Sequence, residues 1–222
     1  MKKAIWIILL ICNIGLLSVA QNNSIGKSDP DAKKLLDEIS NKIRSYKAVQ
    51  ASFTFQVEDV KGNLQGTKKG TVFMKGNKYR VSITGQEIFC DEKTIWTYDK
   101  ASNEVTITKF DPSANSLTPQ KVFTDFYDKD YLYKLNGEQV VKGKTVEEIE
   151  LTPVDKTKNI FKIYAYVDKA AKTILFTKML EKSGNKYIYT INSLNGNVQL
   201  SDASFVFDKT KYPGVEEVDL RN

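Results

Sequence analysis

Between Ala51 and Phe207 the apolar residues recur at every second position in short runs, and turn-forming residues separate many of these runs. Phe53, Phe55 and Val57 alternate with Ser52, Thr54 and Gln56, and Tyr79, Val81 and Ile83 with Lys78, Arg80, Ser82 and Thr84. Similar runs occupy Ile88–Cys90, Thr94–Tyr98, Glu104–Thr108, Val146–Thr152, Ile160–Val167, Ile174–Leu180, Tyr187–Leu194 and Ser204–Phe207. Turn signals stand at Lys61-Gly62-Asn63, Lys75-Gly76-Asn77, Asn136-Gly137, Lys142-Gly143-Lys144, Ser183-Gly184-Asn185 and Asn195-Gly196-Asn197. A period of two belongs to a strand with distinct faces, and links this short close antiparallel hairpins rather than parallel crossovers. The pattern predicts about ten or eleven strands in one meander. A sheet of that size curls toward a barrel or takes a covering layer.

Helices can supply the cover. Asp29 as N-cap, Pro30 at the first helical position and Asp31 in the first turn announce a helix. Ala32, Leu35, Leu36, Ile39, Ile43 and Tyr46 then recur at three- and four-residue steps, which predicts one amphipathic helix ending near Ala48. After the polar loop Asp111–Leu117, Thr118-Pro119 opens a shorter helical pattern with Val122, Phe123, Phe126 and Tyr127 on one side. The expectation is an α+β, mainly β fold: a single domain over 29–222 with two helices over one curved antiparallel sheet.

Residues 1–20 read as a secretory signal, with Lys2 and Lys3 before an apolar stretch from Ala4 to Leu17 and a small-residue cleavage site at Ser18-Val19-Ala20. The stretch is too short for a transmembrane span. Cys12 lies inside it after Leu9-Leu10-Ile11, whereas a lipid-attachment cysteine stands at the cleavage point behind a small residue. Cleavage after Ala20 is therefore expected, with 21–28 as a flexible polar lead-in. The signal takes Cys12 with it and leaves Cys90 without an internal disulfide partner. Histidine is absent from all 222 residues, which removes Ser-His and Cys-His catalytic pairs and imidazole-bound zinc. The 33 basic and 27 acidic residues are dispersed as on an ordinary soluble surface, not as a nucleic-acid footprint.

Motifs that resemble chemistry fail in context. Ser24–Lys27 and Ser183–Lys186 match S-x-x-K, but one lies in the lead-in and the other in a hairpin turn, without the companion elements of a penicillin-binding site. Gly137–Thr145 imitates a phosphate loop with the wrong spacing and no following helix. Glu147, Glu148 and Glu150 straddle both faces of one strand and read as solvated or edge-protecting charges. Cys90 reads as a small core residue. No catalytic, metal or cofactor site is expected. What remains is a stripe comprising Phe53, Phe55, Tyr79, Val81, Ile83, Ile88, Trp96, Tyr98, Val105 and Ile107. It is either an ordinary core or the wall of an apolar ligand cavity beneath helical lids.

Several segments, taken in order, resemble the LolA family of periplasmic lipoprotein carriers: Ala51-Ser52-Phe53-Thr54-Phe55-Gln56, Gly66, Gly70-Thr71-Val72-Phe73-Met74-Lys75, Tyr79-Arg80-Val81 and Asp91-Glu92-Lys93-Thr94-Ile95-Trp96-Thr97-Tyr98-Asp99. Phe205-Val206-Phe207 and Tyr212-Pro213-Gly214-Val215-Glu216-Glu217-Val218-Asp219-Leu220-Arg221 close the pattern. The resemblance implies an incomplete (half) antiparallel β-barrel covered by helices and enclosing an apolar cavity for acyl chains. By matched position the cavity would be lined by Ile43, Tyr46 and Val49, by Tyr79, Val81 and Ile83, and by Val122, Phe123 and Phe126. Phe53 and Phe55 join them from the stripe.

The implied protein is a monomeric periplasmic carrier that moves lipoproteins from the inner to the outer membrane. An inner-membrane lipoprotein-releasing transporter would load it; the outer-membrane acceptor is not identifiable. A lipid- or lipoprotein-binding sensor of the same fold is the alternative. Two departures from the family pattern stand out: Lys75-Gly76-Asn77 replaces the Arg-Pro whose arginine latches the lid in the best-studied branch, and the sequence stops at Asn222, without the extension and extra strand expected of some members. A smaller one is Asp91-Glu92 in place of an Asp-Gly turn.

Overall fold

A computed structural model describes residues 28–112, 118–120, 127, 130–141 and 143–221. The expected signal peptide, the lead-in before Ser28, and Val122, Phe123 and Phe126 lie outside the described residues.

The helix begins where its punctuation places it. α1 spans Pro30–Ser45, and the Asp29 carboxylate accepts the backbone N–H groups of Asp31 at 2.9 Å and Ala32 at 3.4 Å. Its second oxygen accepts the N–H of Leu135 at 3.1 Å, tying the helix start to a distant strand. That bond is the foremost reason the Asp29 carboxyl titrates below the usual range. Ala32, Leu35, Leu36, Ile39 and Ile43 are buried, as their spacing requires. The helix stops earlier than expected, because Tyr46 is already extended and Val49 opens the first strand.

Among the described residues twelve strands form one sheet, where ten or eleven were expected. They are β1 Val49–Glu58, β2 Leu64–Lys75, β3 Lys78–Ile83, β4 Gln86–Cys90, β5 Thr94–Asp99, β6 Glu104–Lys109, β7 Tyr131–Val141, β8 Lys144–Pro153, β9 Ile160–Asp168, β10 Thr173–Glu181, β11 Lys186–Gly196 and β12 Glu216–Asp219. Their hydrogen-bonded order is β12-β6-β5-β4-β3-β2-β1-β11-β10-β9-β8-β7, so the described sheet is open, with β12 and β7 at its edges.

Three expectations are corrected. Asn136-Gly137 is not a turn: it lies within β7 at a register shift, where Gly137 takes φ +103° and lets the strand bulge without ending. Ser204–Phe207 is not a strand, because Asp202–Phe205 form a 3-10 turn. The sheet is not wholly antiparallel, since β12 pairs parallel to β6. The long C-terminal segment, with a second 3-10 turn at Lys209–Lys211, supplies the crossover that a short link cannot.

Cross-strand partners assign the faces. On the helix face, α1 packs with Ile149, Leu151, Ile163, Ala165 and Val167 toward the β7 end, and with Val49, Ala51, Val72, Met74 and Tyr79 near its own C-terminus. The stripe read from the sequence is divided between two faces. Trp96, Tyr98, Val105 and Ile107 are cross-strand partners on the back face, where Phe207, Tyr212 and Val215 of the C-terminal segment pack with Phe89, Trp96, Tyr98 and Val105. Glu147 also departs from its solvated reading. It shares the helix-face register of Val167, is 4% exposed, and accepts from Lys169 Nζ at 2.8 Å. Among the described residues no helix is long and apolar enough to cross a membrane.

Candidate functional site

The helix face has two zones that differ in cover. Near the end of α1, Ile43, Val49 and Tyr79 are closely packed with Met74 and Cys90, and Tyr46 and Val81 border the same cluster. The Tyr46 ring lies over Gly196 at the end of β11, where a Cβ would meet ring carbons at 2.3–2.5 Å. Burial pushes the Cys90 thiol and the Tyr79 hydroxyl up from their ordinary titration ranges. A neutral enclosed thiol is packing material, not a nucleophile. This zone is a core.

The second zone follows β1 away from the helix end. Phe53, Phe55 and Val57 are only half-buried. Their partners on β11 are Ile191, Tyr189 and Tyr187, and on β2 Phe53 stands opposite Gly70. A Cβ on Gly70 would lie 2.4 Å from the Phe53 ring, so the missing side chain is what lets that ring lie across the sheet. Ile83 flanks the same patch through Gly70 and is also half-buried. Phe55 lies 4.6 Å from Tyr189 and 6.1 Å from Tyr187 between ring centroids. Tyr189 is 37% exposed. The patch offers shape-tolerant apolar area, with Lys68 opposite Phe55 on β2 as a charged neighbour, and this suits a hydrocarbon chain.

The expected site residues thus separate. Ile43, Tyr46, Val49, Tyr79 and Val81 belong to the packed zone; Phe53, Phe55 and Ile83 belong to the open one. Sequence reasoning missed Tyr187, Tyr189 and Ile191. Their alternation was visible, but the β1–β11 pairing that carries them to Phe55 spans most of the chain.

Polar contacts organise the border of the packed zone, at the turn between β2 and β3. In place of an arginine after β2, the Gln120 side-chain amide donates to the carbonyls of Gly76 at 2.9 Å and Lys78 at 3.0 Å. Lys75 and Lys78 both donate to Asp202, at 2.8 and 2.7 Å, and hold its carboxyl down at about 2. At the altered turn Glu92 takes φ +79°, while Asp91 accepts from the N–H groups of Lys93 and Thr94. Clefts among the described residues lie elsewhere. One of about 220 Å³ is lined by Arg80, Phe89 and the C-terminal segment, and one of about 510 Å³ by Lys47, Lys75 and 197–200. Neither is lined by Phe53, Phe55 or Tyr189. Among the described residues no group of three side chains is placed to hold a metal ion.

Residues 44–208 match the family described as outer membrane lipoprotein carrier protein LolA. The outer-membrane lipoprotein carrier protein of Histophilus somni is 25% identical over 201 residues, covering 89% of this chain and 93% of that protein. The protein of the same description from Cupriavidus necator is 26% identical over 183 residues, covering 79% and 84%. In fold, the chain is similar to an uncharacterized conserved protein from Thermus thermophilus, with a TM-score of 0.58 at 14% identity over 85% of this chain and 99% of that one.

Proposed function

Since the chain belongs to the LolA family of outer membrane lipoprotein carrier proteins, we propose that it is a periplasmic carrier of lipoproteins. It holds their acyl chains against the open zone of the helix face and moves them from the inner to the outer membrane. The observation that carries this reading is the half-buried, largely aromatic patch of Phe53, Phe55, Tyr187, Tyr189 and Ile191 beside a fully packed core. At roughly 0.8 kcal/mol per CH₂, a chain of about 15 methylenes costs about 12 kcal/mol to expose to water. An apolar surface replaces that exposure, and contacts without hydrogen bonds let the cargo leave again. In this reading the sheet curves into a half-barrel whose lid includes the helical pattern after Pro119, with Val122, Phe123 and Phe126 closing over the patch. Loading falls to an inner-membrane transporter, and the carrier itself performs no catalysis.

A photocrosslinking residue at Tyr189 is expected to capture a triacylated lipopeptide, while the same residue at Trp96 on the back face is not. Equal capture on both faces, or none at Tyr189, overturns the acyl-chain site. Depletion of the protein followed by envelope fractionation tests the transport: lipoproteins should accumulate in the inner membrane, and an unchanged distribution rejects the shuttle.

A further inference from the structure

The strand register brings several turns to one end of the sheet, and that end carries apolar side chains the fold does not use. β1 and β11 rise together from Val49↔Gly196 to Glu58↔Lys186. The turn after β1 therefore sits beside the turn before β11, and Val60 lies against Gly184. The next turn is joined on: the N–H of Lys182 donates to Asn159 at 3.0 Å, and its ammonium to the carbonyl of Lys156 at 2.7 Å. Val60 is 65% exposed, Leu64 57%, Val154 53% and Phe161 43%. These four make up half of the large apolar residues that are most exposed among the described ones. Isolated exposed apolar residues need no explanation, but several on neighbouring turns and strand ends mark a surface that meets something apolar.

The charges around them favour one kind of partner. Lys61, Lys156, Lys158, Lys182 and Lys186 have no carboxylate within ion-pair distance among the described residues. Nor have Lys68 and Lys69 on the exposed start of β2. The acids here are Glu58, Asp59, Asp130, Asp155 and Glu181, and three of them are turned onto their own turns. Asp59 accepts from Lys61 and Asn63 N–H groups and from Gln65, Asp155 from Thr157, and Glu181 from Ser183, Asn185 and Tyr187. Lys156 and Lys182 donate to the carbonyls of Pro153 and Lys156, and Lys158 lies over the Tyr131 ring, while Lys61, Lys68 and Lys69 are left exposed beside the apolar tips. The edge is also continuous with the aromatic patch, because the last apolar pair below it is Val57↔Tyr187.

We propose that this edge docks the protein on an anionic phospholipid bilayer, with Val60 and Leu64 entering the headgroup layer and the lysines meeting lipid phosphates. Apolar burial and attraction to anionic lipid add in such binding. The docked edge would place the patch against the membrane, so that an acyl chain could pass between them without crossing water. That consequence rests on the carrier reading, whereas the docking itself does not.

The test is flotation of the full mature chain with vesicles of phosphatidylglycerol and phosphatidylcholine in equal parts, and with phosphatidylcholine alone. The native protein should float with the anionic vesicles at low salt, and less so as salt rises. Val60→Asp with Leu64→Asp should lower the bound fraction about tenfold, and Lys61→Glu with Lys69→Glu by at least as much on anionic vesicles. Leu220→Asp, at an exposed apolar residue outside this edge, should bind as the native protein does. Circular dichroism of each variant separates lost docking from lost folding. No flotation of the native chain at low salt, as expected if the edge meets only a protein partner, overturns the proposal. So does full flotation of the Val60/Leu64 variant, or an equal loss in the Leu220 variant. Capture of lipopeptide at Tyr189 is read separately: its absence with flotation intact rejects the carrier reading alone.

Discussion

Ile149 and Tyr189 both lie on the helix face of the same sheet, yet Ile149 is fully enclosed and Tyr189 is 37% exposed. Exposure decides what each side chain contributes. Ile149→Ala removes packed methyl groups from beneath α1 and should cost about 2–5 kcal/mol, read as a lower denaturant midpoint. Tyr189→Glu leaves that core intact and should shift the midpoint little, but it sets a charge where hydrocarbon is to lie. Lipopeptide binding should fall by tenfold or more, about 1.4 kcal/mol. Matching losses of stability and binding in both variants would mean that the aromatic patch is merely core. Period-two alternation picked out Phe53, Phe55 and Ile83, since alternation is a local property. It could not pick out Tyr189 as their neighbour, because a cross-strand partner far along the chain leaves no local trace.

Helix α1 was legible because its signals are chemical and close together: an N-cap carboxylate, a proline that needs no N–H, and apolar residues at helical steps. The strands with clean alternation were legible too. β7 was not, because the bulge at Gly137 breaks its period and presents the residues of a turn. β12 escaped because four largely charged residues, Glu216 to Asp219, join the sheet through a parallel partner and the packed segment before them. That segment is fastened by Lys75 and Lys78 on Asp202, a link with a definite pH signature. In the fold the Asp202 carboxyl titrates at about 2 against an ordinary 3.8. A lowered folded-state pKa means that the unfolded chain takes up protons first, so the contribution is complete above about pH 4 and is lost as pH falls to about 2. Asp202→Asn should therefore melt below the native protein at neutral pH, with a gap that narrows from pH 4 downward. A gap constant down to pH 2 would show that Asp202 acts through shape alone.

Across the whole molecule, the sheet order divides the chain into two runs of neighbours, β2 to β6 and β7 to β11, joined where β1 pairs with β11. Helix α1 packs on both runs, from Tyr133 beyond Asp29 to Tyr79 beside Ile43. No hairpin makes the β1–β11 junction, so its closure entropy must be met by packing along the seam, and it is the natural place for the two runs to part. The seam can be probed where Ser52 and Ser193 face each other with hydroxyls 2.7 Å apart. Ser52→Cys with Ser193→Cys should oxidise to a disulfide, identified by peptide mass, while Cys90 stays enclosed and reduced. A bridge closing so long a loop stabilises by up to about 5 kcal/mol in the chain-entropy model. For a chain of this size that is a rise in melting temperature of roughly 10 °C or more, reversed by reductant. Should the pair oxidise with no rise, the seam already stays closed through unfolding; should it fail to oxidise, the β1–β11 register is wrong. Lipopeptide capture at Tyr189 in the oxidised protein then separates two ways of admitting cargo. Undiminished capture means that the patch is reached along the face of a sheet that never parts, and lost capture means that the two runs must separate to take the chain in.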